Sequence, residues 1–334
     1  MRSIRPLLFS SLVLPLLVAA PLVACGGGGD GGTDGTVTPE GEHYKSVAKE
    51  VSVPSTAAQP KQFGLDLDGD AMVDNQLGTA LVTLGAALGN PTVSKDAVDA
   101  AVAKGSIILL ADFQTKDFTT SSAAGLSVKL GENPMPTPCT NPADVTTCGH
   151  HLDGTGSFTV STSSPTNASL AGTIVGGTFT AGPGKVTLQI ALGTAPIQLD
   201  LIGARVEASG ISADGITTMK IAGAVLETDF DGKVLPGIKS AVIDPDLVAG
   251  NCNAAPPSCG CTSGSTGASI ITLLDKSPPD CMISIDEIKN NPTLKPLITP
   301  DVALDANTGL ALPAGTAKNA LSIGVKAKTV KAAF

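Results

Sequence analysis

Aspartates at 66, 68, 70 and 74 stand at relative positions 1, 3, 5 and 9 of one short stretch, Asp66-Leu67-Asp68-Gly69-Asp70-Ala71-Met72-Val73-Asp74. Carboxylates at that alternation turn inward together on a tight loop, and hard oxygen ligands of this kind suit Ca²⁺, which takes about six to eight of them. Met72 at position 7 would offer its backbone carbonyl, and Val73 at position 8 is expected to pack on the core. The plainer alternative is a solvated acidic loop favoured by the N-terminus of the helix it leads into. Four aspartates so close repel one another unless a cation sits among them, which favours the ion.

The stretch resembles the calcium loops of EF-hand, dockerin and thrombospondin type 3 proteins over about a dozen residues. It departs from the EF-hand pattern at Ala71, where position 6 is usually Gly, and at Leu77, where position 12 would be a bidentate Glu. The remaining ligands are left to water or to other parts of the fold. Asp275, Asp280, Ser284 and Glu287 form a second, weaker candidate, because Met282-Ile283-Ser284-Ile285-Asp286-Glu287 resembles the exit half of an EF-hand. With Glu287 at position 12, Asp280 falls at 5 and Ser284 at 9, but Lys276 and Pro278 occupy 1 and 3. Asp275 comes one residue too early. This reads as a degenerate loop, stapled by a disulfide at Cys281 in place of metal.

Other chemistry is scarce. The chain carries no Gly-x-Ser-x-Gly elbow, no Gly-x-x-x-x-Gly-Lys-Ser/Thr loop, no His-Glu-x-x-His, and no Gly-x-Gly-x-x-Gly following a strand. Of the three histidines, His150 and His151 follow Cys148 in Cys-Gly-His-His, a concentration of soft ligands. Adjacent side chains diverge and no matching Cys-x-x-Cys half is present, so a solvated loop is the better reading. No catalytic residue is assigned, although dispersed carboxylates leave a secreted hydrolase as one alternative.

Residues 1–24 read as a signal peptide: Arg2 and Arg5, an apolar run from Leu7 to Leu22, then Leu22-Val23-Ala24-Cys25-Gly26. Pro15 and Pro21 argue against a spanning helix. The Cys after Val-Ala resembles the lipobox of bacterial lipoproteins. That resemblance implies that Cys25 becomes the lipid-modified, membrane-anchored N-terminus, and residues 25–42 supply a Gly-rich tether. In the family pattern an Asp after the Cys retains the protein at the inner membrane; Gly26 stands there, which implies the outer membrane. The other six cysteines suit an oxidising compartment. Cys139 and Cys148, remote from the rest, are expected to close their own loop, which leaves Cys252, Cys259, Cys261 and Cys281 to pair among themselves.

What must position these residues is a chain of 334 residues with only 3% aromatics and no Trp. Its core is therefore Val, Ile, Leu and Ala, and base-stacking or aromatic sugar platforms are excluded. Beyond the leader there are 19 basic against 30 acidic side chains, net −11, which makes nucleic acid a poor partner. Leu77, Leu81, Leu84 and Leu88 form one helix face directly after the acidic loop, and a second helix is expected from Ser94 to Gly105. His43–Val53 and Ser106–Phe113 read as strands. From about residue 155 the period is two: Ser157–Ser161, Ser169–Ile174, Lys185–Leu192, Ile197–Leu201 and Met219–Leu226, with a parity switch that marks a bulge at Gly203. Phe230, Val234, Ile238 and Val242 keep helical spacing, weakened by Gly232, Pro236 and Gly237. A last strand alternates through Leu321, Ile323, Val325 and Ala327. Its ending in Phe334 invites comparison with the closing strand of outer-membrane barrels, which the lack of aromatic girdles rejects.

The expected fold is α+β, mainly β: an antiparallel sandwich or curved open sheet over 43–334 with a few packed helices. Within it lie a calcium loop and helix (63–89), a Cys-Gly-Ser loop (250–267) and a C-terminal EF-hand-like helix-loop-helix (270–299). The whole resembles uncharacterised bacterial lipoproteins with EF-hand-like or thrombospondin type 3-like calcium loops, a resemblance that implies no activity. The expected function is that of a lipid-anchored, non-catalytic envelope lipoprotein with structural Ca²⁺. The alternative is a carrier whose 185–201 strands line a cavity for a lipid or other apolar ligand.

Overall fold

Eight strands meander and close, one of them, Ser121–Met135, not foreseen from the sequence spacing. A computed structural model describes residues 37–88, 95–165, 169–192, 195–256, 258–276 and 278–334. The leader, Cys25, the tether through Thr36, Ser94 and the turn at 193–194 lie outside these. Residues Val37–Phe334 form one compact unit.

The strands are β1 (Glu42–Ser52), β2 (Leu109–Thr115), β3 (Ser121–Met135), β4 (Ser157–Val160), β5 (Ser169–Val175), β6 (Thr178–Leu192), β7 (Ala195–Ser212), β8 (Gly215–Leu226) and β9 (Ala320–Lys331). Their order is β2-β1-β9-β8-β7-β6-β5-β3-β4, and β2 also pairs β3. All these pairings are antiparallel. Setting β4 aside, each strand pairs its neighbour in sequence and the last pairs the first, an up-and-down barrel of eight. The expectation of a sandwich or open sheet is therefore corrected. Alternation specifies a sheet with one buried face; it does not say whether β1 will meet β9, and here Ser46–Ser52 run against Lys331–Lys326 and remove both free edges.

Leu126, Phe179, Leu188, Leu201, Ile221 and Val325 belong to one buried cluster that continues into the helical layer. On the outward side, charged side chains pair across strands, as Lys220 does with Glu207 at 3.0 Å. An apolar interior with a charged exterior is the inverse of a porin-type barrel. The bulge expected at Gly203 is present: the β7–β8 register shifts between Ile202 and Arg205. Gly203 has φ +59°, and a Cβ there would lie 2.8 Å from Leu304 and 2.9 Å from the Gly309 carbonyl, so both conformation and space call for glycine.

Helices α1 (Gln59–Phe63), α2 (Gln76–Leu88) and α3 (Lys95–Ala103) follow β1. After β8 comes a rod of α4 (Glu227–Asp229), α5 (Leu235–Ile238) and α6 (Asp244–Ala249), joined by π-helical turns Phe230–Val234 and Lys239–Ile243. The helical spacing of Phe230, Val234 and Val242 prevails over Gly232, Pro236 and Gly237 because all three apolar side chains are buried. α7 (Thr266–Leu274) and α8 (Ile285–Asn290) complete the layer.

Two smaller clusters lie outside the barrel. Leu67, Ile202, Ala222, Ala224, Val302, Leu304 and Ala320 fix the acidic loop against β7, β8 and β9. Val47, Ile108, Leu110 and Phe158 hold β4 and the C-terminal Ala332 and Phe334 against β1 and β2.

Candidate metal centre

The acidic loop folds around its first aspartate. Asp66 accepts from the Gly69 N–H (2.7 Å) through Oδ1 and from the Ala71 N–H (3.0 Å) through Oδ2. Asp70 Oδ1 accepts from the Met72 N–H at 2.7 Å. Gly69 and Ala71 have φ of +82° and +66°. The left-handed turn usually given to glycine at position 6 is thus made by alanine, at some cost in strain. An antiparallel bridge between Leu65 and Asp74 closes the base, and Leu67 is fully buried beneath it.

One carboxylate oxygen from each of Asp66, Asp68 and Asp70 lies within 4.8 Å of the others, with lone pairs to spare beyond the backbone contacts. A donor set of three clustered carboxylates and a tight backbone turn suits a hard cation. Asp74 stands apart from this group. Its Oδ2 accepts from the Leu67 N–H at 2.7 Å. Burial first, then repulsion from Asp68, Asp301 and Asp70, push its pKa up to about 6 against the lowering effect of the Leu67 hydrogen bond. The Met72 side chain is exposed. Val73 corrects an expectation: it is 45% exposed, because the core contact of this loop is made by Leu67.

Three residues outside the spacing pattern tie the loop to the barrel. Arg205 Nη2 donates to the Leu67 carbonyl at 3.1 Å. Asp301, clamped by the backbone and hydroxyl of Ser322, faces Asp74 closely enough to raise its pKa. Asn75, 6% exposed, caps α2 by accepting from the Gly78 N–H (3.0 Å) and also accepts from the Gly324 N–H (3.0 Å). Its Nδ2 donates to the carbonyls of Gly324 and Pro60, each at 3.1 Å. Asn at a helix start is a legible cap; its second role, along with Arg205 and Asp301, comes from strands more than a hundred residues away and leaves no local signal.

The second loop repeats much of this geometry with one residue inserted. Asp275 accepts from the Asp280 N–H (3.1 Å) and the Cys281 N–H (2.9 Å); the second contact matches that of Asp66 with Ala71, while Pro279, at the place of Gly69, has no N–H to donate. Cys281 has φ +66°, and Asp280 accepts from the Met282 N–H at 2.9 Å. The early position of Asp275 is absorbed by the insertion. Oxygens of Asp275, Asp280 and Glu287 lie within 4.8 Å of one another. Ser284 serves as N-cap of α8: its hydroxyl accepts from the Glu287 N–H, and Glu287 Oε2 accepts from the Ser284 N–H at 2.8 Å.

The cysteines form Cys139–Cys148, Cys252–Cys261 and Cys259–Cys281. Cys259 and Cys281 adjoin Asp275 but are spent on each other, and Cys148 is likewise unavailable to a Cys–His metal site. His150 is exposed and His151 fully buried, so the two rings diverge, and the expectation of a solvated loop is corrected at His151. His151 stacks edge-on to Phe158, and neither ring nitrogen makes a hydrogen bond. Burial pushes its pKa down; the facing Val102 carbonyl opposes that and the charge of His150 adds to it.

Compared with known proteins, the chain matches no family model, no curated protein and no solved structure. Among the described residues, no helix is long and apolar enough to cross a membrane.

Proposed function

We propose that this protein is a lipid-anchored, non-catalytic lipoprotein of the cell envelope whose first acidic loop binds Ca²⁺ through Asp66, Asp68, Asp70 and Asp74 with the Met72 carbonyl. The observation that carries the metal reading is the meeting of three carboxylates around a left-handed turn at Ala71. Asp74 joins when the ion replaces its proton and its Leu67 contact. The cation ties the loop to the barrel face, and because the site exists only in the folded chain, its binding energy adds to folding stability. Asp275, Asp280, Ser284 and Glu287 form a second, weaker site held in shape by the Cys259–Cys281 disulfide. The anchor rests on the lipobox at Cys25, with Gly26 favouring the outer membrane.

Melting the protein with Ca²⁺ and with chelator tests the metal reading. At an ion concentration of about 100 times Kd the gain is about 2.7 kcal/mol, several degrees in Tm, and it disappears in Asp68→Ala/Asp70→Ala. An unchanged Tm at millimolar Ca²⁺ refutes it. Palmitate labelling that persists in Cys25→Ala refutes the anchor.

A further inference from the structure

Gly85 sits inside α2, where glycine weakens a helix relative to alanine. No crowding requires it, since a Cβ built there meets no atom within 4 Å. The space it faces is a cavity of about 90 Å³ between α2, the π-turned rod, α7 and α8. Every residue lining it is aliphatic, aromatic or glycine, among them Leu81, Leu84, Phe230, Val242, Ile270 and Leu273. Ile270 is fully buried at its floor, while Leu81, Leu84 and Leu273 are half-buried and open it toward solvent. Both π-helical turns contribute to its wall, a helical irregularity frequent at functional sites. Protein interiors ordinarily close such space, and a single alanine would begin to do so here at a gain in stability.

We propose that this cavity binds one unbranched alkyl chain, the tail of an amphiphile such as a fatty acid or fatty alcohol. The lining presents no hydrogen-bonding side chain, so a peptide, sugar or nucleotide would lose its contacts with water and gain none. A cavity of roughly 150 Å³ holds benzene, so this one takes about three or four carbons, the terminal segment of a longer alkyl chain. The head group stays at the half-buried rim. This site is separate from the 185–201 strands: Val186, Leu188, Leu199 and Leu201 are packed into the core. It does not depend on the calcium reading.

The test is equilibrium dialysis of radiolabelled n-alcohols from ethanol to dodecanol against the full chain carrying Cys25→Ser, so that no lipid attached at that position competes. One equivalent binds, and affinity rises about fourfold per methylene until the cavity fills near about four carbons, then levels off. Octanoate binds within a few fold of octanol. Gly85→Leu fills the cavity and weakens octanol binding at least tenfold without lowering Tm; Gly85→Ala moves the plateau to a shorter chain. Binding of many equivalents, affinity independent of chain length, or a folded Gly85→Leu that binds octanol as the parent does would each overturn the proposal. Should Gly85→Leu fail to fold, the position of the plateau in the parent decides: a rise continuing unbroken to dodecanol overturns it. Displacement of octanol by a leucine-rich helical peptide would also overturn it, marking the cavity as a helix-docking groove.

Discussion

Replacing Asn75 with alanine removes the joint between the acidic loop and the barrel. β1 ends at Ser52 opposite Lys326, so two residues further along β9 the N–H and C=O of Gly324 have no strand to pair with on the β1 side, although Gly324 lies opposite Ala222 of β8. The Asn75 amide stands in for that strand, accepting from one and donating to the other, while it also caps α2 and holds the Pro60 carbonyl. Alanine strands three backbone groups, since the Pro60 carbonyl still accepts from the Gly64 N–H. Gly324 is buried, and its close contact with Phe63 and Gly64 leaves no room for a replacing water; a Cβ on Gly324 would already sit 2.6 Å from the Phe63 carbonyl. Two or three groups sealed from water at about 1–3 kcal/mol each give a loss of about 4 kcal/mol. That is a large part of the usual 5–15 kcal/mol of a domain, and corresponds to a fall in Tm on the order of 10 °C. Urea unfolding followed by circular dichroism measures it. Asn75→Asp keeps both accepted bonds but sets a carboxylate against two carbonyls, so at pH 7 it should cost at least as much and recover as pH falls and the carboxyl becomes a donor. A loss below about 1 kcal/mol in Asn75→Ala would refute the view that this amide substitutes for a strand.

Two further outcomes concern protons. His151 has a folded-state pKa below its unfolded value near 6.5, so the unfolded chain binds the proton more readily. Its contribution to stability is complete above pH 6.5, declines as pH falls below that, and stops declining once the folded-state pKa is passed. His151→Phe should flatten the dependence of Tm on pH in that window, and an unchanged slope would show that other groups produce it. At the acidic loop, Asp74 titrates at about 6 without the ion, so Ca²⁺ must displace a proton below that pH. Calorimetry in buffers of different ionisation enthalpy should find Ca²⁺ affinity falling as pH drops through 6, with up to one proton released. Affinity constant from pH 7 to 5 would exclude Asp74 as a ligand.

Most strands were legible because each keeps apolar residues on one face, as Leu188 and Leu201 do; β3 was missed, because its alternation through Ala124, Leu126, Val128 and Leu130 is set among Gly125, Gly131 and polar residues. Even the parity switch at Gly203 is written locally. The helical rod was harder to read, because Pro236 and the nearby glycines point one way and the burial of Phe230 and Val234 the other. The acidic loop was legible as spacing, since Asp66, Asp68 and Asp70 are near one another in any compact turn. The sequence could not place Val73 outside and Leu67 inside, because that depends on which side of the loop meets β7 and β8. Nor could the sequence show that Asp275, one residue early by the count, still accepts from the Cys281 N–H as Asp66 does from Ala71, because that depends on how the extra residue is accommodated.

Sequence alone determined a mainly β chain with an aliphatic core, an expected lipobox and two short acidic loops, because these follow from side-chain chemistry and spacing over a few residues. Tertiary structure decided that the strands close into a barrel, that Asn75, Arg205 and Asp301 secure the first loop, that Cys259 pairs with Cys281 beside the second, and that Gly85 faces a cavity. Each of these depends on segments far apart in the chain, and local patterning cannot say which surfaces will meet.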